Sequence, residues 1–105
     1  MNIQELTFFI KWEHERLLKM YGLKNHKELR HLIALKTMEE LGELSEELLA
    51  LDSIQRKEKL ENKESKVGDE ITDVIITAML LAENLGVDIE SHLQIGIEKR
   101  KNRKY

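Results

Sequence analysis

Val74-Ile-Ile-Thr-Ala-Met-Leu-Leu-Ala82 is the most apolar stretch of the chain, and Thr77 is its one polar residue. The helical pattern around it begins near Ser65 and runs to Leu85, where Gly86 can end it in a left-handed cap. A helix that is apolar all round is buried on all sides. Four helices drawn from 105 residues struggle to surround such a segment. A second copy of the chain is therefore expected to complete the core.

The rest of the sequence supports an all-α protein. Proline is absent, glycine occurs five times, and no alternating Val/Thr/Tyr-rich run bounded by turn residues reads as a strand. Glu, Lys and Leu dominate, and all three favour helix. A first helix is expected from about Ile3 to Met20, with Ile3, Leu6, Phe9, Ile10, Glu13 and Leu17 at 3–4 spacing and Gly22 as its stop. Asn25 and Glu28 fit a capping box that opens a second helix to about Asp52, whose apolar stripe centres on Leu41 and Leu48. Ser53 to Ser65 is polar and charged and reads as a linker, with room for a short exposed helix. Asp88 caps a fourth helix from about Ile89 to Arg103, and the segment Lys99 to Tyr105 carries five basic residues in seven.

Composition narrows the function classes. Without cysteine there are no disulfides, no thiolate metal site and no cysteine nucleophile. A net charge of −3 does not favour nucleic acid as a partner, and the basic end lacks the interleaved aromatics of a single-strand binder. No run approaches the roughly 18 apolar residues of a membrane span, and Met1 to Ile10 shows no basic segment followed by an apolar core. The expected location is cytoplasmic. Residues 1–105 read as a single domain.

Two acidic motifs carry the chemistry. Glu39, Glu40 and Glu43 form EExxE on the second helix, and Glu70 and Asp73 form ExxD at the mouth of the apolar stretch. Residues three apart on a helix are neighbours, with Cβ atoms roughly 5–6 Å apart. Glu40 with Glu43, and Glu70 with Asp73, are thus two claws. If the second and third helices pack antiparallel, the claws meet. Four carboxylates around one point cannot all stay ionised without cations, and all-oxygen ligation suits Mg²⁺ or Mn²⁺. A di-iron bundle needs a Glu-x-x-His motif on each of two helices. This chain offers one, Glu28 to His31, and neither claw carries a histidine at the third position. His14, His26, His31 and His92 are scattered and unlike a zinc site.

The run Lys36-Thr-Met-Glu-Glu-Leu-Gly-Glu-Leu-Ser-Glu-Glu-Leu, then Gly68-Asp-Glu-Ile-Thr-Asp-Val, then Leu85-Gly-Val-Asp-Ile, resembles the MazG family of all-α nucleoside triphosphate pyrophosphohydrolases. The resemblance covers about Lys36 to Arg103. It implies a four-helix bundle-type fold completed by dimerisation or tetramerisation, and a Mg²⁺-dependent cleavage of a nucleoside triphosphate to monophosphate and pyrophosphate. By position, Glu40, Glu43, Glu70 and Asp73 match the family's metal-binding acids, with Glu39 behind them. Glu40 and Glu43 are the expected catalytic pair, Glu40 both holding metal and taking a proton from the attacking water. Lys99, Asn102 and Arg103 resemble a Lys/Asn/Arg signature that meets the phosphates in the family. A plainer reading of that end is a cationic helix terminus favoured by the macrodipole.

Trp12 could stack on a base, as an N-terminal aromatic does in some relatives, although Phe8, Phe9 and Trp12 at helical spacing more often serve core or interface. Asn84 could touch base or sugar, or merely cap a carbonyl. Two other functions stay open on the sequence. One is a helical interaction module with a decayed site; the other is phosphoribosyl-ATP pyrophosphohydrolysis, which shares fold type and chemistry.

Overall fold

The computed structural model describes residues 1–22, 25–52 and 57–104. They form α1 (Ile3–Met20), α2 (His26–Asp52), α3 (Lys57–Leu85) and α4 (Ile89–Lys101), with no strand among them. The helix ends follow local chemistry. Asn2 caps α1 by accepting from the Glu5 N–H at 2.8 Å, and Gly22 closes it with φ +62°. Asn25 Oδ1 accepts from the Glu28 N–H at 3.0 Å, the side-chain-to-backbone half of the expected capping box. At the end of α3, Gly86 adopts φ +70°. Its N–H donates to Glu83 O, and the Val87 N–H donates to Ala82 O, the paired bonds of a Schellman turn. Asp88 then caps α4 through the Ser91 N–H.

Two boundaries differ from the sequence reading. α3 begins at Lys57, so Lys57 to Ser65 is helix rather than linker. The Lys/Glu-rich composition that looked like a solvated connector is also strongly helix-forming. The linker reading of Ser53 to Arg56 lies outside the described residues. α4 ends at Lys101 with Asn102 as its cap, two residues earlier than Arg103.

α2 and α3 run antiparallel. Glu40 and Glu43 meet Glu70 at one level, and Arg30 and His26 meet Asn84 at another. α1 lies along α3 in the same direction. Met1 and Glu5 border a groove with Thr72, Thr7 and Ile10 border another with Met79, and His14 reaches Asn84. Ile10 of α1, Leu29 and Ile33 of α2, and Met79 and Leu80 of α3 form the core.

This core is small. Val74 to Ala82 is not buried on all sides, since Ile75 is 50% exposed and Ala78 lies on the surface. Leu41 and Leu48, expected to centre the buried stripe of α2, are also exposed, and Leu29 and Ile33 take that role. Phe8 and Trp12 on α1, Met38 and Leu49 on α2, and Ile95 and Ile97 on α4 are exposed as well. The radius of gyration is 16.7 Å, against about 13 Å for a compact domain of 100 residues. The excess reflects long α2 and α3 helices that outrun α1, and an α4 with no buried residue.

Candidate metal centre

Antiparallel packing of α2 on α3 brings three of the four expected acids together. Glu40, Glu43 and Glu70 each offer a carboxylate oxygen, and these oxygens lie within 4.8 Å of one another. Glu40 is 5% exposed, and Glu43 and Glu70 are half-buried. Glu40 Oε2 and Glu70 Oε2 are buried without a hydrogen-bond partner. A buried, unpaired carboxylate oxygen is costly. Glu70 answers that cost by holding a proton, its carboxyl pushed up to about 7 by burial and then by Glu40 and Glu43.

Asp73 stands apart. It is exposed, it is not one of the three converging side chains, and its backbone carbonyl accepts from Thr77 Oγ1 at 2.9 Å. Glu39 is exposed, with Oε1 3.6 Å from Lys36 Nζ. Lys36 also lies 3.2 Å from Glu40 Oε1. Its ammonium is held above the ordinary lysine value by the bond to Glu40 and by the charge of Glu39. Beside the acids, Lys36, Glu39 and Thr77 edge an otherwise largely apolar cavity of about 330 Å³ lined by Leu17, Leu29, Ile33 and Leu80.

Three orphaned or crowded carboxylates fit an all-oxygen divalent cation. Mg²⁺ and Mn²⁺ take such donors, and a positive ion offsets the burial and the neighbouring carboxylates that raise the Glu70 pKa. Residues 32–105 match the MazG-like family. The chain belongs to the MazG-like family. No curated protein and no solved structure gives a match to it. The MazG-like match spans α3, α4 and all but the first turns of α2, and so includes both acidic motifs.

The remaining expected site residues lie elsewhere. Lys99, Asn102 and Arg103 are exposed at the end of α4, where Asn102 Nδ2 donates to Glu98 O at 3.0 Å. Trp12 is 52% exposed, 6.0 Å from the Phe9 ring and under the Arg16 guanidinium at 4.9 Å. Asn84 is buried, and Asn84 Nδ2 donates to His26 O at 2.8 Å, which is the carbonyl-capping role. Asn84 Oδ1 also accepts from Arg30 Nε at 3.0 Å, so Nδ2 is the atom that faces His14 Nε2 at 3.1 Å.

Sequence reasoning missed this network and Lys36. Glu13 was placed in the α1 stripe, but the buried polar residue there is His14, at 2% exposure. Its position four after Ile10 and three before Leu17 was the available signal. Burial lowers the His14 pKa, and His26, edge-on at 4.9 Å, lowers it further. His14, Glu15 and His26 also bring ligand atoms within 4.8 Å. However, His14 Nε2 accepts from Asn84, so Nδ1 carries the proton and the neutral ring has no free lone pair for an ion.

Proposed function

We propose that residues 1–105 act as a single MazG-like unit that hydrolyses a nucleoside triphosphate to the monophosphate and pyrophosphate. The observation that carries this reading is the pair of buried, partnerless oxygens, Glu40 Oε2 and Glu70 Oε2, converging with Glu43. A bound Mg²⁺ or Mn²⁺ would neutralise phosphate charge and polarise a water for attack at the α-phosphorus. Glu40, Glu43 and Glu70 hold it, with Asp73 one turn along α3 on the same helix as Glu70. Glu40 takes the proton of the attacking water, and Glu43 helps to place that water. Lys99, Asn102 and Arg103 are assigned to the phosphates.

Assembly is part of the proposal. The exposed apolar residues of α1, α2 and α3 make a surface far more apolar than a free monomer needs. A homodimer or homotetramer covers it. In this scheme a neighbouring copy supplies the phosphate-binding residues of α4. Trp12 and Asn84 are weaker assignments to the base, Asn84 because all its polar atoms are already engaged. No helix among the described residues is long and apolar enough to cross a membrane, and we place the activity in the cytoplasm.

The test is release of pyrophosphate from a panel of canonical and modified nucleoside triphosphates, in Mg²⁺ and in EDTA. Mg²⁺-dependent release that Glu43→Gln and Asp73→Asn abolish is expected. Folded, oligomeric protein inert toward the whole panel would sink the reading, and phosphoribosyl-ATP belongs on the panel because its hydrolysis needs the same chemistry. One observation favours a non-catalytic interaction module, namely Asp73 lying outside the acid cluster. Full activity of Asp73→Asn would show that Asp73 is dispensable. Absence of turnover in the unmodified chain would favour the module.

A further inference from the structure

Glu40 projects from the middle of α2 into a space where little else fixes it. One carboxylate oxygen, Oε1, lies 3.2 Å from Lys36 Nζ; the other, Oε2, is buried and unpartnered in the cluster with Glu43 and Glu70. Lys36 is in turn steadied on two sides. Its ammonium also faces Glu39 Oε1 at 3.6 Å, and the residue lines the apolar cavity with Leu32, Ile33 and Leu80. The Lys36 side chain is 54% exposed, with its charge turned to the two glutamates. Nor is the pair explained by helix stability. Glu preceding Lys is the better order at this spacing, and here Lys36 precedes Glu40.

We propose that Lys36 is a positioning residue, which by holding Glu40 Oε1 turns Glu40 Oε2 into the acid cluster where the divalent cation is held. The inference rests on the metal-dependent reading above and concerns Lys36 as a residue that acts through Glu40. Ligating carboxylates are themselves commonly oriented by a hydrogen bond on the second oxygen, and loss of such a partner typically weakens metal binding about 10–100-fold.

A competing role for Lys36 predicts the opposite sign. A lysine that merely stands in for a missing cation competes with the ion, and its removal tightens binding by taking a positive charge away from the site. Titration of Mn²⁺ into the purified chain, followed by electron paramagnetic resonance or calorimetry, separates the two. For positioning, Lys36→Met and Lys36→Gln each weaken Mn²⁺ binding about 10–100-fold with unchanged helical content, and Lys36→Arg retains most of the affinity. In a Glu40→Ala background, Lys36→Met has no further effect, because the carboxylate that Lys36 orients is gone. Unchanged or tighter binding in Lys36→Met overturns the proposal, as does an unmodified chain that binds no Mn²⁺. The readout is independent of turnover. A chain whose Mn²⁺ affinity depends on Lys36 and Glu40 yet releases no pyrophosphate overturns the hydrolase reading and leaves this one standing.

Discussion

Glu40 and Glu70 face each other across the α2–α3 packing, thirty residues apart in sequence, each with its Oε2 atom buried and without a partner. Neighbouring backbone and hydroxyl groups do not relieve them. Thr72 and Thr77 of α3 donate to their own helix carbonyls at Gly68 and Asp73. A proton or a cation would relieve both.

The proton gives the first prediction. Glu70 is raised to about 7, so the folded, metal-free chain holds a proton that the unfolded chain has released above 4.5. This contribution to stability is fully present below 4.5 and is lost as pH rises through about 7. Thermal unfolding in EDTA should show a melting temperature that falls through that window. Glu70→Gln should flatten the fall, and Mg²⁺ should remove it. A slope identical in Glu70→Gln would show that another group carries it.

A second prediction concerns affinity. Metal binding must displace the Glu70 proton, so the apparent affinity for Mn²⁺ should drop as pH is lowered below about 7. Glu70→Gln should bind weakly and without that pH dependence. Calorimetry in two buffers of different ionisation enthalpy would detect the released proton. Equal heats in both would count against the exchange.

The polar network at the other end of the hairpin gives a third. Asn84 joins His14, the His26 carbonyl and Arg30, and so ties three helices with one buried side chain. Asn84→Ala leaves those groups unpaired and should cost about 1–3 kcal/mol in denaturant unfolding. A loss under about 0.5 kcal/mol, the range of an ordinary surface substitution, would mean that water replaces the side chain.

His14 titrates in the opposite sense to Glu70. Its folded pKa lies below 6.5, so its contribution is fully present above 6.5 and is lost as pH falls through the depressed value. Glu15, Glu83 and His26 are the charged or titratable groups that act on it, the two glutamates opposing the shift. His14→Gln, which cannot be protonated, should remove the acid-side loss. Unfolding midpoints of the two proteins from mildly acidic to neutral pH would report it.

The exposed apolar faces predict association. Ile75 and Phe9 border an open groove with Leu6 and Ile76, although each is partly bare. Light scattering should give a mass above the 12.4 kDa of one chain, and Ile75→Glu should lower it. A mass of one chain for the unmodified protein at micromolar concentration would contradict the assembly.

Four helix ends were legible in the sequence, because a glycine, an asparagine or an aspartate marked each of them. Gly22, Asn25, Gly86 and Asp88 all occupy the turns assigned to them. The start of α3 was not legible, since a Lys/Glu segment is equally suited to a solvated helix and to a connector. Burial was the harder quantity. Periodicity marked Leu41 and Leu48 as core, yet in the isolated chain they are bare, since periodicity cannot say which neighbour covers a face. Spacing paired Glu40 with Glu43, and the antiparallel packing of α2 on α3 brought Glu70 to them. The displacement of Asp73 was not legible, because two residues one turn apart share a helix face only approximately. Lys36 escaped notice because a salt bridge to a buried acid looks, in sequence, like any other pair four residues apart.

The direction of α1 carries a practical consequence. Because it lies parallel to α3 and starts level with Thr72, its first residue emerges two positions along α3 from Glu70. An affinity tag of histidines fused there would be tethered beside carboxylates suited to Mn²⁺, at an effective concentration on the order of millimolar. Imidazole is itself a ligand for transition ions. Removing such a tag before titration leaves the ion to the carboxylates alone.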